Sequence, residues 1–354
     1  MDITSPAGQA NSAGAHQNPA DLLEQALFEA KRVVVGQDAM IERLLVCAIA
    51  GGHCLLEGPP GLAKTLAAKT MARVLGGSFA RVQFTPDLVP ADIVGTRIYR
   101  PSREAFDVEL GPIFANVVLA DEINRASPKV QSALLEVMAE HQVSIGGITH
   151  RSPEPFMVLA TQNPIESEGV YPLPEAQRDR FLMKVLVDYP SDREEAEIVR
   201  RVGVTMPVVE PVLDEARWAQ LRDLAGQVFV HDAVVDYAVR LVVATRRPAD
   251  AGLGDLAPFI AYGVSPRATL GLVAAARALA LMRRRRYALP NDVTDIAAAV
   301  LRHRLVLSYE AMASEIDAES VVHRILSTVW APQISPGQSG NMAPPDSRPA
   351  LVDI

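Results

Sequence analysis

The stretch "GPPGLAKT", Gly58 to Thr65, has the spacing G-x-x-x-x-G-K-[ST]. Glycines at its ends let the backbone amides curl around phosphate groups, and a helix opening directly behind them adds a favourable field for anions. Lys64 has the reach to touch the terminal phosphates, and the Thr65 hydroxyl is a ligand for magnesium. The residues expected to touch a nucleotide are Gly58, Pro59, Pro60, Gly61, Leu62, Ala63, Lys64, Thr65 and Leu66. A glycine-rich turn arising by chance is the competing explanation. Against it, the stretch follows the strand-like run "HCLLE" and opens the helical run "LAKTLAAKTMARVL", the context a phosphate loop requires. Lys64 is also one of only five lysines in the chain.

A second group of residues suits the same chemistry. "NVVLADEINRA" is an apolar strand ending in Asp121 and Glu122. An aspartate there can hold the magnesium shell through water, and a glutamate beside it can polarise an attacking water, so the pair implies hydrolysis rather than storage. Acids at strand ends are common; the phosphate loop upstream is what gives these two a meaning. Asn163 ends another apolar run, "FMVLATQNPIE", where its amide can orient a water or meet a γ-phosphate, or can serve only as a turn-forming Asn-Pro. "PEAQRDRF" carries Arg178 and Arg180, whose spacing does not put both side chains on one helix face.

These residues need a scaffold, and the hydrophobic pattern supplies one. Five short apolar runs, "HCLLE", "RVQF", "NVVLAD", "FMVLATQ" and "MKVLVDY", alternate with helix-like segments, the pattern of a five-stranded parallel sheet covered on both faces. After "VDYPSD" the strands stop and helical runs follow, several opening on Ser or Asp, or with Pro in the first turn. The reading is an αβα nucleotide-binding domain over 20–190 and an all-α lid over 191–330. Tails over 1–19 and 331–354, rich in small residues, Pro and Gly, are expected to be disordered. The alternation in "FDVEL" and the glycines in "SIGGIT" are hairpin signals.

Composition narrows the function. The net charge of −8 argues against a surface that tracks nucleic acid, which needs clustered positive charge. The one basic run, Arg283 to Arg286, reads as a solvated helix end or as a contact for an anion or partner. Cys47 and Cys54 sit in apolar runs and read as reduced core residues, and scattered histidines give no zinc spacing. The N-terminus lacks a basic start followed by an apolar core, and no run of about 18 apolar residues follows, so a cytoplasmic chain without membrane insertion is expected.

"VVVGQD", "GPPGLAKT", "VQFTPDLVPADIVG", "LGPIFANVVLADEINRASPKVQSALLEVMAE", "ATQNPIESEGVYPLPEAQRDRF" and "GVSPRATL" together resemble the MoxR family of AAA+ ATPases, over roughly 20–330. The resemblance implies an AAA+ P-loop fold, ATP and ADP as ligands, Mg2+ as cofactor, and hydrolysis of ATP. It places Val35 and Gly36 beside the adenine, makes Asn163 the sensor 1 residue, makes Arg267 the sensor 2 residue that reaches from the lid towards the γ-phosphate and couples ATP state to lid angle, and makes Arg180 an arginine supplied to a neighbouring subunit. Arg178 departs from a common family pattern that has an apolar residue there, and Arg125 is a weaker candidate for the interface. The resemblance also implies hairpin insertions near 92–111 and 142–155, which would face a central pore or the client, or be plain surface hairpins. A homo-oligomeric ring, most often a hexamer, is implied, with a client protein, a partner carrying a von Willebrand factor A domain, and in some members metal insertion. The rival readings are a nucleic-acid-dependent motor, a nucleotide-gated scaffold, and a relative that inserts magnesium into a porphyrin.

Overall fold

The computed structural model describes residues 18–164, 169–202 and 207–333. The tails expected over 1–19 and 331–354 lie outside the described residues up to 17 and from 334 onward. Within the described chain the strands are β1 (Cys54–Glu57), β2 (Phe79–Gln83), β3 (Gly95–Arg100), β4 (Ala105–Leu110), β5 (Val117–Asp121), β6 (Gln142–Ile145), β7 (Ile148–Arg151), β8 (Met157–Gln162), β9 (Met183–Leu186), β10 (Ile260–Tyr262) and β11 (Val306–Leu307). The helices up to the last sheet strand are α1 (Pro19–Val33), α2 (Asp38–Ala50), α3 (Lys64–Leu75), α4 (Pro90–Val94), α5 (Pro128–Glu140) and α6 (Glu175–Arg178). Beyond it come α7 (Asp192–Val202), α8 (Glu215–Gly226), α9 (Asp232–Arg246), α10 (Pro266–Met282), α11 (Pro290–Leu301), α12 (Tyr309–Ala313) and α13 (Ala318–Thr328).

All five expected sheet strands form, in the order β2-β5-β8-β1-β9, every pair parallel. Alternation of side chains across a strand divides their residues between two cores. Cys54, Leu56, Val117, Leu119, Met157 and Leu159 face one side, while Leu55, Val118, Ala120, Val158 and Ala160 face the other. The second side is closed by α5, through Val130, Leu134 and Met138, and by Phe156 and Phe181. The first side is closed by α1, α2 and α3, and its core runs on without interruption into α8 to α11. Trp218 of α8 is buried in it, with its indole N–H on the Ala48 carbonyl at 3.1 Å.

The lid helices start where their sequences say they should. Ser265 caps α10 by accepting the Arg267 amide, with Pro266 in the first turn, and Asp317 caps α13. A feature without a sequence signal is the two-stranded antiparallel ribbon β10–β11, too short to show alternation, which adds a little β structure to an otherwise helical lid. The arginine run is exposed at Arg283, Arg284 and Arg286, as a helix end should be, but it is also paired with carboxylates along most of its length. Arg283 and Arg285 share the fully buried Asp292, at 2.9 and 2.7 Å, and Arg284 pairs with Asp21 and Glu24 of α1, each at 2.6 Å. A buried carboxylate is tolerated only when it is paired, which Arg283 and Arg285 achieve, and Arg284 fastens α1 to the lid.

Two hairpins project from the nucleotide-binding half. β3 pairs with β4, exposing Tyr99 and Phe106 as a ring pair 5.2 Å apart, and Arg97 lies over Phe106 at 4.8 Å. β6 and β7 turn through Gly146 and Gly147, both at positive φ, as a tight two-residue hairpin turn requires.

Buried His53 links the two sides of β1 to the solution pH. Its Nδ1 accepts the Val158 amide at 3.0 Å, so the proton sits on Nε2, which faces the Met138 carbonyl at 3.2 Å. Burial holds its pKa down, from 6.5 to about 4. The unfolded chain takes up this proton near pH 6.5 and the folded chain only near 4, so the unfolded state binds more protons between them and stability falls as pH drops. Complete titration costs on the order of 3 kcal/mol, and buried His303, also held well below its ordinary value by burial, adds in the same direction. Urea unfolding followed from pH 7 to 5 should show this decline. The decline should be shallower in His53→Asn, and an equal slope in both proteins would contradict the assignment.

Candidate active site

The phosphate loop sits at the carboxyl end of β1 and before α3, at the centre of the sheet. Gly58 has no room for a Cβ, which would meet the Val187 carbonyl just beyond β9, and Gly61 takes φ +84, a conformation that glycine adopts without strain. Pro60, Gly61, Leu62, Ala63, Lys64, Thr65 and Leu66 line a cleft of about 400 Å³ together with Asp121, Glu122 and Asn163. Gly58 and Pro59 lie at its back, where their carbonyls accept from the Lys64 ammonium. The structure thus brings the loop, the acidic pair and the strand-end asparagine to one place.

Asp121, at the end of β5, is the most heavily bonded group in the cleft. Its Oδ1 accepts from the Thr161 hydroxyl at 2.6 Å, and its Oδ2 accepts from the Thr65 hydroxyl at 3.2 Å. The guanidinium of Arg81 also donates to Oδ2, through Nε at 3.1 Å and Nη2 at 2.7 Å. Glu122 follows in a left-handed conformation, φ 57 and ψ 50, which is costly for a side-chain-bearing residue and clusters at functional sites. Its amide donates to the same Thr161 hydroxyl at 2.8 Å, which fixes the turn. Its carboxylate receives the Gln83 amide at 2.8 Å and pairs with Arg125 at 3.0 Å.

A hydroxyl and a carboxylate aimed at each other across the mouth of the loop form a hard oxygen donor set of the kind magnesium prefers, with room left for water. Thr65 and Asp121 therefore fit the ion that phosphate chemistry would bring. Among the described residues no cluster of three or more His, Cys, Asp or Glu residues forms a separate metal site.

The arginines occupy a different surface. Arg180 is half-buried and donates to the Leu135 carbonyl of α5, and Arg178 pairs with Glu175 at 3.7 Å. Between them Asp179 turns the other way, toward the lid. Its carboxylate accepts from the Ser265 hydroxyl at 3.0 Å and from Arg304 at 2.9 Å, and Arg267 lies 3.6 Å away. Arg304 is almost wholly buried and also donates to the carbonyls of Phe181 and Leu182. Arg267 does not line the cleft of its own chain; it shares a face with the Arg178–Arg180 segment. Val35 is half-buried and Gly36 sits in a left-handed turn against Pro190, with Gln37 donating to the Asp188 carbonyl at 2.9 Å; neither Val35 nor Gly36 is part of the cleft wall.

Three polar residues of the cleft went unread in the sequence: Arg81, Gln83 and Thr161. The run "RVQF" alternates, with Val82 and Phe84 buried and Arg81 and Gln83 on the open face. That alternation was the available signal, and Gln83 stands directly opposite Asp121 in the sheet register. Thr161 lies two residues before Asn163 on β8, on the same face, but a threonine inside an apolar run looks like any β-branched strand residue.

Comparison with known proteins shows the family. Residues 53–183 match the family model described as "ATPase family associated with various cellular activities (AAA)", and residues 255–325 match the "AAA lid domain" model. A protein named "Chaperone MoxR1" from Mycobacterium tuberculosis is 58% identical over 351 residues, covering 98% of this chain and 93% of its own. "Protein MoxR" of Paracoccus denitrificans is 37% identical, covering 84% and 92% respectively. A crystal structure of a putative ATPase from Cytophaga hutchinsonii superposes with a TM-score of 0.84 at 44% identity, covering 89% of this chain and 96% of that one.

Thr161 is the hinge pin of the acidic pair, so removing its hydroxyl should be felt twice. Thr161→Val leaves a buried carboxylate oxygen and the Glu122 amide without a partner, at a cost of about 1–3 kcal/mol. Urea unfolding should register that loss together with a reduced ATPase rate. Unchanged stability and unchanged rate would show that the threonine holds neither group.

Proposed function

The chain belongs to the MoxR family of AAA+ ATPases, and from that premise we propose that it hydrolyses ATP in a ring to remodel, mature or activate client protein complexes. The observation that carries this reading is the strained Glu122 turn, which sets a carboxylate beside Asp121 at the mouth of the phosphate loop.

In this reading the loop amides and Lys64 hold the β- and γ-phosphates, which requires the Lys64 ammonium to leave the carbonyls of Gly58 and Pro59. Thr65 would hold magnesium directly and Asp121 would hold it through water; when bound, the ion would neutralise phosphate charge. Glu122 takes a proton from the attacking water. To do so it must release Gln83 and Arg125, so the present arrangement is a resting one. Asn163, buried at the end of β8, orients that water or meets the γ-phosphate.

A positive charge on the far side of the γ-phosphate is the remaining requirement, and Arg180 and Arg267 are proposed to supply it to the neighbouring protomer. Neither arginine lines the cleft of its own chain, and Arg267 pairs with Asp179, the residue next to Arg180, at 3.6 Å, a placement that supports this. It also ties lid position to the neighbour's chemistry, since the buried Arg304 clamps the same segment. A hexamer follows the family pattern. The chaperone role follows the name of the mycobacterial relative, and a partner with a von Willebrand factor A domain, and metal insertion into the client, belong to the same proposal. The exposed Tyr99–Phe106 hairpin is the surface offered to the client.

Glu122→Gln should bind ATP and lose steady-state hydrolysis, by at least about a hundredfold for a lost general base. Arg180→Ala should do likewise by removing the trans charge. Mixing the two inactive proteins should restore part of the rate, because an intact Arg180 then faces an intact Glu122 across some interfaces. No recovery from a mixture that co-assembles would place Arg180 outside the neighbour's site.

A further inference from the structure

Arg81 makes the shortest contact to the Oδ2 oxygen that magnesium would need. Its Nε and Nη2 both reach Oδ2 of Asp121, at 3.1 and 2.7 Å, and Nη2 also donates to Gln83 at 2.8 Å. Gln83 in turn holds Glu122, so one guanidinium braces both acids from the edge strand β2. The Thr65 hydroxyl is drawn to the same Oδ2.

The electrostatics follow from that placement. Asp121 and Glu122 are adjacent carboxylates whose like charges repel. Arg81 supplies the opposite charge in the resting chain. A bidentate fork satisfies the carboxylate oxygen in much the way a water of a metal shell would, and it leaves Thr65 donating its proton instead of offering a lone pair. The Arg81 side chain is 49% exposed, so it can swing into solvent without opening the core.

We propose that Arg81 is a positioning residue that stands in for magnesium at Asp121, and that loading of the metal with nucleotide displaces its guanidinium from Oδ2. Metal binding is then competitive with an internal ion pair. This rests on the reading of Asp121 as a magnesium-holding group. The competition predicts a specific signature: removing Arg81 lowers the magnesium concentration required, while removing Asp121 raises it.

The probe is a fluorescent N-methylanthraniloyl ATP, with binding measured by anisotropy in EDTA and across a magnesium titration of the full chain. In Arg81→Gln the half-saturating magnesium concentration should fall by about fivefold, the effect of releasing one partly exposed ion pair. Arg81→Lys, which keeps the charge but loses the fork, should fall between the two. Affinity in EDTA should stay within about twofold of the parent, because the guanidinium is directed at the carboxylate and not at phosphate. An unchanged or higher magnesium midpoint in Arg81→Gln overturns the proposal, as does a large loss of affinity in EDTA. Asp121→Asn separates the two levels: a raised midpoint there with none of the Arg81 effect refutes the competition alone, whereas no change in Asp121→Asn refutes the metal reading beneath it.

Discussion

The cleft depends on one carboxylate being held where three strands and a helix meet. Asp121 receives hydrogen bonds from β8 through Thr161, from β2 through Arg81 and from the first turn of α3 through Thr65. A largely buried charge is tolerated only when it is paired and bonded, so this convergence is a requirement of the parallel sheet as well as of the chemistry. Because β5 lies between β2 and β8, its end is the position from which both neighbours can be reached. The strained turn at Glu122 is held by the same threonine, so the second acid is built on the first.

The same economy governs the other end of the molecule. Asp179 lies between two arginines in sequence but turns its carboxylate to the lid, where Ser265, Arg267 and Arg304 meet it. Arg304 costs desolvation, which burial makes large, and recovers it through backbone carbonyls and the Asp179 charge. The segment carrying Arg180 is therefore fastened to the lid. A lid whose core is continuous with α1 and α2 can transmit small rotations without breaking its packing.

What could be read in the sequence was what is contiguous there. Gly58 to Thr65 is a local device, and the Asp121–Glu122 pair needs only the end of one apolar run to be noticed. The five sheet strands were legible because both faces of each central strand are buried, which writes a continuous apolar run. Arg81, Gln83 and Thr161 were not, since their meaning comes from strand order, and "RVQF" fixes which residues face outward but not which strand lies beside it. The partners of the arginine run from 283 to 286 were hidden for the same reason: Asp21 and Glu24 sit at the opposite end of the described chain, and Asp292 is buried only once α10 and α11 pack. The orientation of the lid, and with it the surface on which Arg267 rides, is likewise a property of packing between distant helices.

The central claim is that a working site is assembled from two protomers, and its most direct measurement is specific ATPase activity against protein concentration, with assembly followed in parallel by sedimentation. Activity per chain should vanish as the ring dissociates and rise with the assembled fraction. Full activity per chain at concentrations where the protein sediments as a monomer would contradict it.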